Sequence, residues 1–158
     1  MLLAQNCKFV NGLSPQDVNG DGAIVGDYIS LKDYNHVTIV LHMGVVGDAA
    51  AVTLKQASDV AGTGVKALTV NNMWANEGLT TDTLTKTAVT SSTFNHAATP
   101  ENLYVLEVDA DELDINNGFD CLTINIAAQA GASTIISILY ILSGARYAGE
   151  SMPSAIVD

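Results

Sequence analysis

Asp17, Asn19 and Asp21 put oxygen-bearing side chains at every second position and are followed by Gly22. A calcium loop opens in this way, with carboxyl and amide oxygens converging on the ion while the glycine allows a sharp turn. The twelfth position of such a loop should hold a bidentate Glu, but here it is Tyr28, and a strand rather than a helix follows. A polar turn whose Asn and Asp side chains bond their own backbone accounts for the same residues. Asp17, Asn19 and Asp21 therefore stand as a metal candidate set against that turn, and no metal or other cofactor is expected. Carboxylates gather again further on: Asp109 to Asp114 holds four acids in six residues, and Glu101 to Asp120 holds seven of the 17. Clustered carboxylates can grip a cation or act as acid and base when a neighbour or a dry pocket separates their pKa values. The surrounding sequence supplies neither His nor Lys for this, so a solvated acidic rim is the expectation.

The other reactive side chains form no constellation. His36, His42 and His96 have no helical metal spacing. His36 and His42 fall on one face of a strand about 20 Å apart, too far to share an ion, and are expected at a surface or an interface. Ser14 lies in GLSPQ, without the second glycine of a nucleophile elbow. Gly62, Thr63, Gly64 and Lys66 have neither the spacing of a phosphate cradle nor a βαβ setting. Trp74 is expected to pack, or to anchor an interface if exposed. With no nucleophile, base and orienting group within reach of one another, the chain is not expected to be an enzyme.

The composition narrows the class further. Hydrophobic residues make up 48% of the 158 residues and charged ones only 15%, which is apolar for a free monomer and suggests cover by other subunits. One domain, 1–158, should bury about 68–70% of its unfolded surface. With six Lys and Arg against 17 Asp and Glu the net charge is -11, and no Lys or Arg lies between Lys86 and Arg146. Phosphate backbones are repelled, so nucleic acid is not an expected partner. Cys7 and Cys121 are too few for a disulfide framework and read as reduced thiols of a protein made in a cytoplasm. The opening MLLAQNCK lacks the basic and apolar segments of a signal peptide, and the longest apolar run, Ile135 to Leu142, is interrupted by Ser137. That run is far short of the roughly 20 residues that span a bilayer, so a soluble protein without a membrane partner is expected.

The elements that must position these groups read as strands. From Asp27 to Gly44 the period of two predicts a pair of strands folded against each other around Asp33 to Asn35, with Val37, Ile39, Leu41 and Met43 facing the core. Before them, Met1 to Gly26 reads as an N-terminal arm with one short strand near Lys8 to Val10. Further strands are expected over Ala51–Ala57, Leu68–Asn72, Thr81–Val89, Leu103–Asp109 and Cys121–Ala127, with Ser58–Val65 and Ser91–Asn102 as loops. Thr134–Ser143 is apolar on both faces, as in a central strand with a second layer or a subunit over it. The sum is an all-β antiparallel β-sandwich, jelly-roll-like, of about eight strands with extended termini. The closing residues 144–158 show no strand period, and Tyr147, Met152, Ile156 and Val157 cannot by themselves offset the entropy of ordering them. This tail, or failing it Met1 to Asn6, is expected to reach a neighbouring chain.

Four runs, DYISLKDYNHVTIVLHMG, QASDVAGTGVKAL, LYVLEVDADELDINNGFDCLTINI and SGARYAG, spread over residues 24–149, resemble the small capsid decoration, or cement, proteins and minor head proteins of tailed bacteriophages. The resemblance implies an accessory β-rich virion protein, commonly trimeric, that binds the outside of the expanded major capsid lattice; it implies no active site. On this reading the chain is made in the host cytoplasm and resides on the outer capsid surface. Its partners are the major capsid protein and itself, as a homotrimer with part of Ile135–Leu142 near the axis. The candidate capsid or subunit contacts are Met1, Leu2, Leu3, Ile135, Leu139, Tyr147, Met152, Ile156 and Val157. A carbohydrate-binding or adhesin module displayed on a particle is the alternative, for which Trp74 and the five Tyr are the available aromatic surface. A calcium-dependent module would rest on the broken loop at Asp17.

Overall fold

Alternating β-branched and polar residues over His36–Met43 cannot bury one stripe as a helix but can bury one face as a strand. In the structure, a computed structural model describing residues 2–129, 131–147 and 152–157, that segment is a strand with Val37, Ile39, Leu41 and Met43 fully buried. In chain order the elements are α1 (Leu3–Asn6), β1 (Lys8–Asp17), β2 (Ile24–Val25), β3 (Ile29–Ser30), β4 (His36–Met43), β5 (Ala51–Ala57), β6 (Lys66–Ala67), β7 (Asn72–Asn76), β8 (Thr85–Thr87), β9 (Thr93–Asn95), β10 (Asn102–Asp109), β11 (Cys121–Ile126) and β12 (Ile135–Ser143). Single 3-10 turns occupy Ala110–Glu112 and Ile115–Asn117. The strands form an antiparallel β-sandwich. One sheet runs β1-β12-β4-β10-β7-β8; the other runs β2-β11-β5-β6, with β3 beside β11 and β9 beside β5. No helix among the described residues is long and apolar enough to cross a membrane.

One core fills the space between the layers. Leu41, Leu106, Ile138 and Tyr140 of the first sheet pack with Leu54, Leu122, Ile124 and Ile29 of the second, all essentially without solvent contact. As expected, β12 is interior to its sheet, between β1 and β4. β1 pairs with β12 from Lys8↔Leu142 to Asp17↔Ile135, with two register shifts between Asn11 and Gln16. Beside the first shift the chain has to pass over Tyr140. A Cβ added at Gly12 would overlap that ring, and one at Gly26 would stand 2.9 Å from its hydroxyl. The Tyr140 hydroxyl is buried beside the Thr123 hydroxyl and makes no well-formed hydrogen bond among the described residues, since Thr123 donates instead to the Gly26 carbonyl at 2.6 Å.

Several expectations are corrected. The predicted hairpin over Asp27–Gly44 is not formed: β3 pairs with β11 and β4 with β10 and β12, so residues 31–35 carry the chain from one sheet to the other. Tyr34 within the expected turn and Leu31 just before it are fully buried and draw the segment through the core. Among the described residues the strands number twelve rather than about eight, because strands of two or three residues are too short to show a period. The arm 1–26 contributes the full ten-residue β1 instead of a short strand at Lys8–Val10. Trp74 lies inside a strand, displacing the strand expected at Leu68–Asn72; only Thr85–Thr87 of Thr81–Val89 is paired, and Ser91–Asn102 contains β9.

The later part of the tail lies on its own chain. The Ser30 amide donates to the Ala155 carbonyl at 2.7 Å, the Tyr34 hydroxyl donates to the Pro153 carbonyl at 2.5 Å, and Ala155 is buried. His96 is also buried. Its Nδ1 donates to the Ala97 carbonyl at 3.0 Å and its Nε2 accepts from the Gln129 amide at 3.2 Å, an arrangement suited to the neutral ring. Burial pushes its pKa down, against the Ala97 hydrogen bond and the charge of Glu77.

Candidate interaction face

Residues directly opposed in an antiparallel ladder share a face, so the registers give the outer surface of the first sheet row by row. The middle row is Asn11, Leu139, Val40, Val105, Trp74 and Lys86, crossing all six strands. On one side of it runs Phe9, Ile141, Thr38, Glu107 and Asn72; on the other runs Ser137, His42, Leu103 and Asn76. Phe9, Ile135 and Leu139 keep 42%, 39% and 37% of their surface exposed, and Val40, Leu103, Val105, Trp74 and Ile141 are half-buried. Lys86 holds its ammonium over the Trp74 ring, 5.3 Å from its centre.

The outer face of the second sheet is built differently. Its rows are Thr93, Thr53, Asn125 and Val25; then Ala67, Lys55 and Thr123; then Ala57, Cys121 and Ser30. These are small or polar residues apart from Val25. On this face Thr53, Lys55 and Asn125 reach solvent in part while Ala57, Cys121, Ser30 and Thr123 are covered, so it has no exposed apolar row like that of Leu139, Val40, Val105 and Trp74 on the first sheet.

At one end of the apolar face the row Ser143, His36, Asp109 aligns a hydroxyl, an imidazole and a carboxylate. The chemistry follows from how the imidazole is held. Nδ1 hydrogen-bonds Asp109 at 2.7 Å, Nε2 is in close contact with the Glu107 carboxylate, and the Thr38 hydroxyl donates to Glu107 at 2.9 Å. Both ring nitrogens donate to carboxylates, which requires the imidazolium. Burial alone would push the His36 pKa down, but the hydrogen bonds to Asp109 and Glu107 together with their charges outweigh it, and the pKa lies above its ordinary value. With Nε2 engaged by Glu107, neither Ser143 nor a metal finds a free lone pair on the ring. The cluster is an ionic clasp joining β4 to β10. Over it, α1 and the chain after β12 enclose a groove of about 780 Å³ lined by Leu3, Cys7, His36, Ile141, Ala145 and Met152.

The acidic rim expected at Asp109–Asp114 is corrected here, since His and Lys partners do reach it from distant segments. Asp109 is on His36. Asp114 is on Lys66 and accepts from the Asn117 amide, and these bonds hold its pKa down. Glu112 accepts from the Asp109 amide and from Asn71. At the proposed calcium loop, Asp17 accepts from the Asn19 and Thr134 amides, each at 3.0 Å, and from the Ser133 hydroxyl. These bonds hold its carboxyl below the usual range and tie the end of β1 to the loop before β12. Asn19 makes a backbone bridge to Gln129. The segment SDVAGTGVK closes on itself, with the Thr63 amide donating to Asp59, and Gly62 lies so near the Tyr28 ring that a Cβ would stand 2.8 Å from it.

Of the expected contact residues, Ile135 and Leu139 are on the apolar face, and Leu3 and Met152 line the groove together with Ile141. Leu2, Tyr147, Ile156 and Val157 are exposed elsewhere, and Met1 lies outside the described residues. Phe9, Val40, Leu103 and Val105 were not singled out from the sequence. The signal for three of them was faint, since Val40, Leu103 and Val105 are the apolar three among eight outward positions of β4 and β10, and Phe9 lies in β1.

No protein-family model matches the chain, and no curated protein sequence does. Among solved structures it is similar to the SPBc2 prophage-derived protein YomS, with a TM-score of 0.50 and 12% identity, covering 88% of this chain and 94% of that one. At this identity the likeness is one of fold. A structure of infectious bursal disease virus, Gt strain, aligns with a TM-score of 0.24 and 9% identity over 87% of this chain and 40% of that one, and carries no argument.

Proposed function

We propose that this chain is a structural protein of a phage virion that binds the outer surface of the major capsid lattice as a homotrimer and stabilises the expanded head. The observation that carries the reading is the fold shared, over 88% of this chain, with a protein of prophage origin, the same source to which the four sequence runs point. An ionic clasp and an apolar face suit a protein that acts by binding and not by catalysis. The mechanism is thermodynamic. A ligand that binds only the mature lattice stabilises it by about 4 kcal/mol per site at a thousandfold excess over Kd, and many sites add. Each contact should bury at least about 1,000 Å².

Cosedimentation of the purified chain with expanded and unexpanded empty capsids tests this. Binding to the expanded form alone, with a raised capsid melting temperature, is expected. Equal binding to both forms, or to neither, would overturn it.

A further inference from the structure

We infer that the apolar outer face of the six-stranded sheet is buried against further copies of this chain. The inference deepens the proposed reading, taking from it only that the chain self-associates.

Three observations choose the occupant. The first is area. Five strands at about 4.8 Å spacing and about 27 Å of strand length make a face of about 650 Å², so covering it on two copies removes about 1,300 Å², within the range of about 1,200–2,000 Å² for specific contacts. The second is charge. Two molecules of net charge -11 repel unless the surfaces that meet are cleared of carboxylates. In the six strands of this sheet only Asp17, Glu107 and Asp109 are acidic. Glu107 and Asp109 share the one His36 imidazolium at one end of the face, which leaves a single net negative charge there, and Asp17 is bonded into the loop at the sheet's edge. The third is residue type. Phe9, Trp74, Leu139, Val40 and Val105 form the apolar, aromatic-bearing centre that contacts between copies favour, while Asn11, Asn72, His42 and Lys86 form a polar rim. The opposite outer face, with Thr53, Lys55 and Asn125, offers no such centre and supplies the control.

Trp74 is the chain's one tryptophan and lies on this face, so it reports burial without mutation. Light scattering at micromolar concentration should give a multiple of 16.5 kDa for the wild type, and acrylamide quenching of Trp74 should rise severalfold on dilution to monomer. Leu139→Lys and Val105→Lys should each scatter as a monomer with the wild-type circular dichroism spectrum, while Thr53→Lys should stay associated. A monomeric wild type would overturn the inference. So would a Leu139→Lys variant that remains associated, or a Trp74 equally quenched at all concentrations; the quenching decides the matter even if the variants do not fold. Cosedimentation run alongside separates the two readings. Association lost in Leu139→Lys without any wild-type capsid binding sinks the capsid reading alone, and capsid binding by an associated Leu139→Lys variant sinks this one alone.

Discussion

His36 and His96 make opposite demands on pH. His36 is cationic between Glu107 and Asp109 with a raised pKa, so its contribution is complete below about 6.5, the unfolded value, and is lost as pH climbs through the higher folded value. His96 is buried neutral with a lowered pKa, so its contribution is complete above about 6.5 and is lost as pH falls through the lower folded value. Stability should therefore peak near neutrality and fall on both sides. Urea midpoints measured from about pH 5 to 8 should show that His36→Gln flattens the alkaline limb and leaves the acid limb, with His96→Gln doing the reverse. If both variants fall in parallel with the wild type across that range, neither ring is held as described. None of this was legible from the residues alone. His36 lies 71 positions from Glu107 and 73 from Asp109, and only the register of β4 against β10 makes them neighbours.

At the scale of elements, the long strands could be read because one face of each is buried. Leu103–Asp109 and Cys121–Ala127 show the period of two, and the expected inward residues Tyr104, Leu106, Val108, Leu122, Ile124 and Ile126 are buried; Thr134–Ser143, apolar on both faces, is legible instead from its β-branched content. Two kinds of feature escaped. Strands such as Ile24–Val25 and Lys66–Ala67 are defined by a neighbour's open edge rather than by their own pattern. The passage through Leu31 and Tyr34 looked like a turn because Asp33 and Asn35 are turn residues, whereas the apolar pair beside them decides its course. The β1–β12 contact supplies a test of packing over polarity. The Tyr140 hydroxyl is buried without a well-formed hydrogen bond, so Tyr140→Phe removes a desolvated group and keeps the ring that Gly12 and Gly26 accommodate. Thermal unfolding should show equal or greater stability, by up to about 1–3 kcal/mol. A clear loss would mean that the hydroxyl is bonded.

At the scale of the molecule, Pro153 and Ala155 of the C-terminal segment are bonded to the sandwich of their own chain, while Ile156 and Val157 beside them stay exposed. Deleting residues 147–158 removes the Pro153 carbonyl and Ala155, and leaves the Tyr34 hydroxyl inside the core without its acceptor. The truncated chain should fold with a loss of about 1–3 kcal/mol, visible as a lower denaturation midpoint in a sample without capsids. An unchanged midpoint would return the segment to the role of a reaching tail. The order of strands has a further consequence, in time rather than in space. β12 joins β1 to β4, so the first strand made has no partner in its sheet until the last one exists. Pairings so distant in sequence make folding slow. Until β12 has been made nothing pairs β1 with the rest of its sheet, so that sheet closes only after synthesis has passed Ser143.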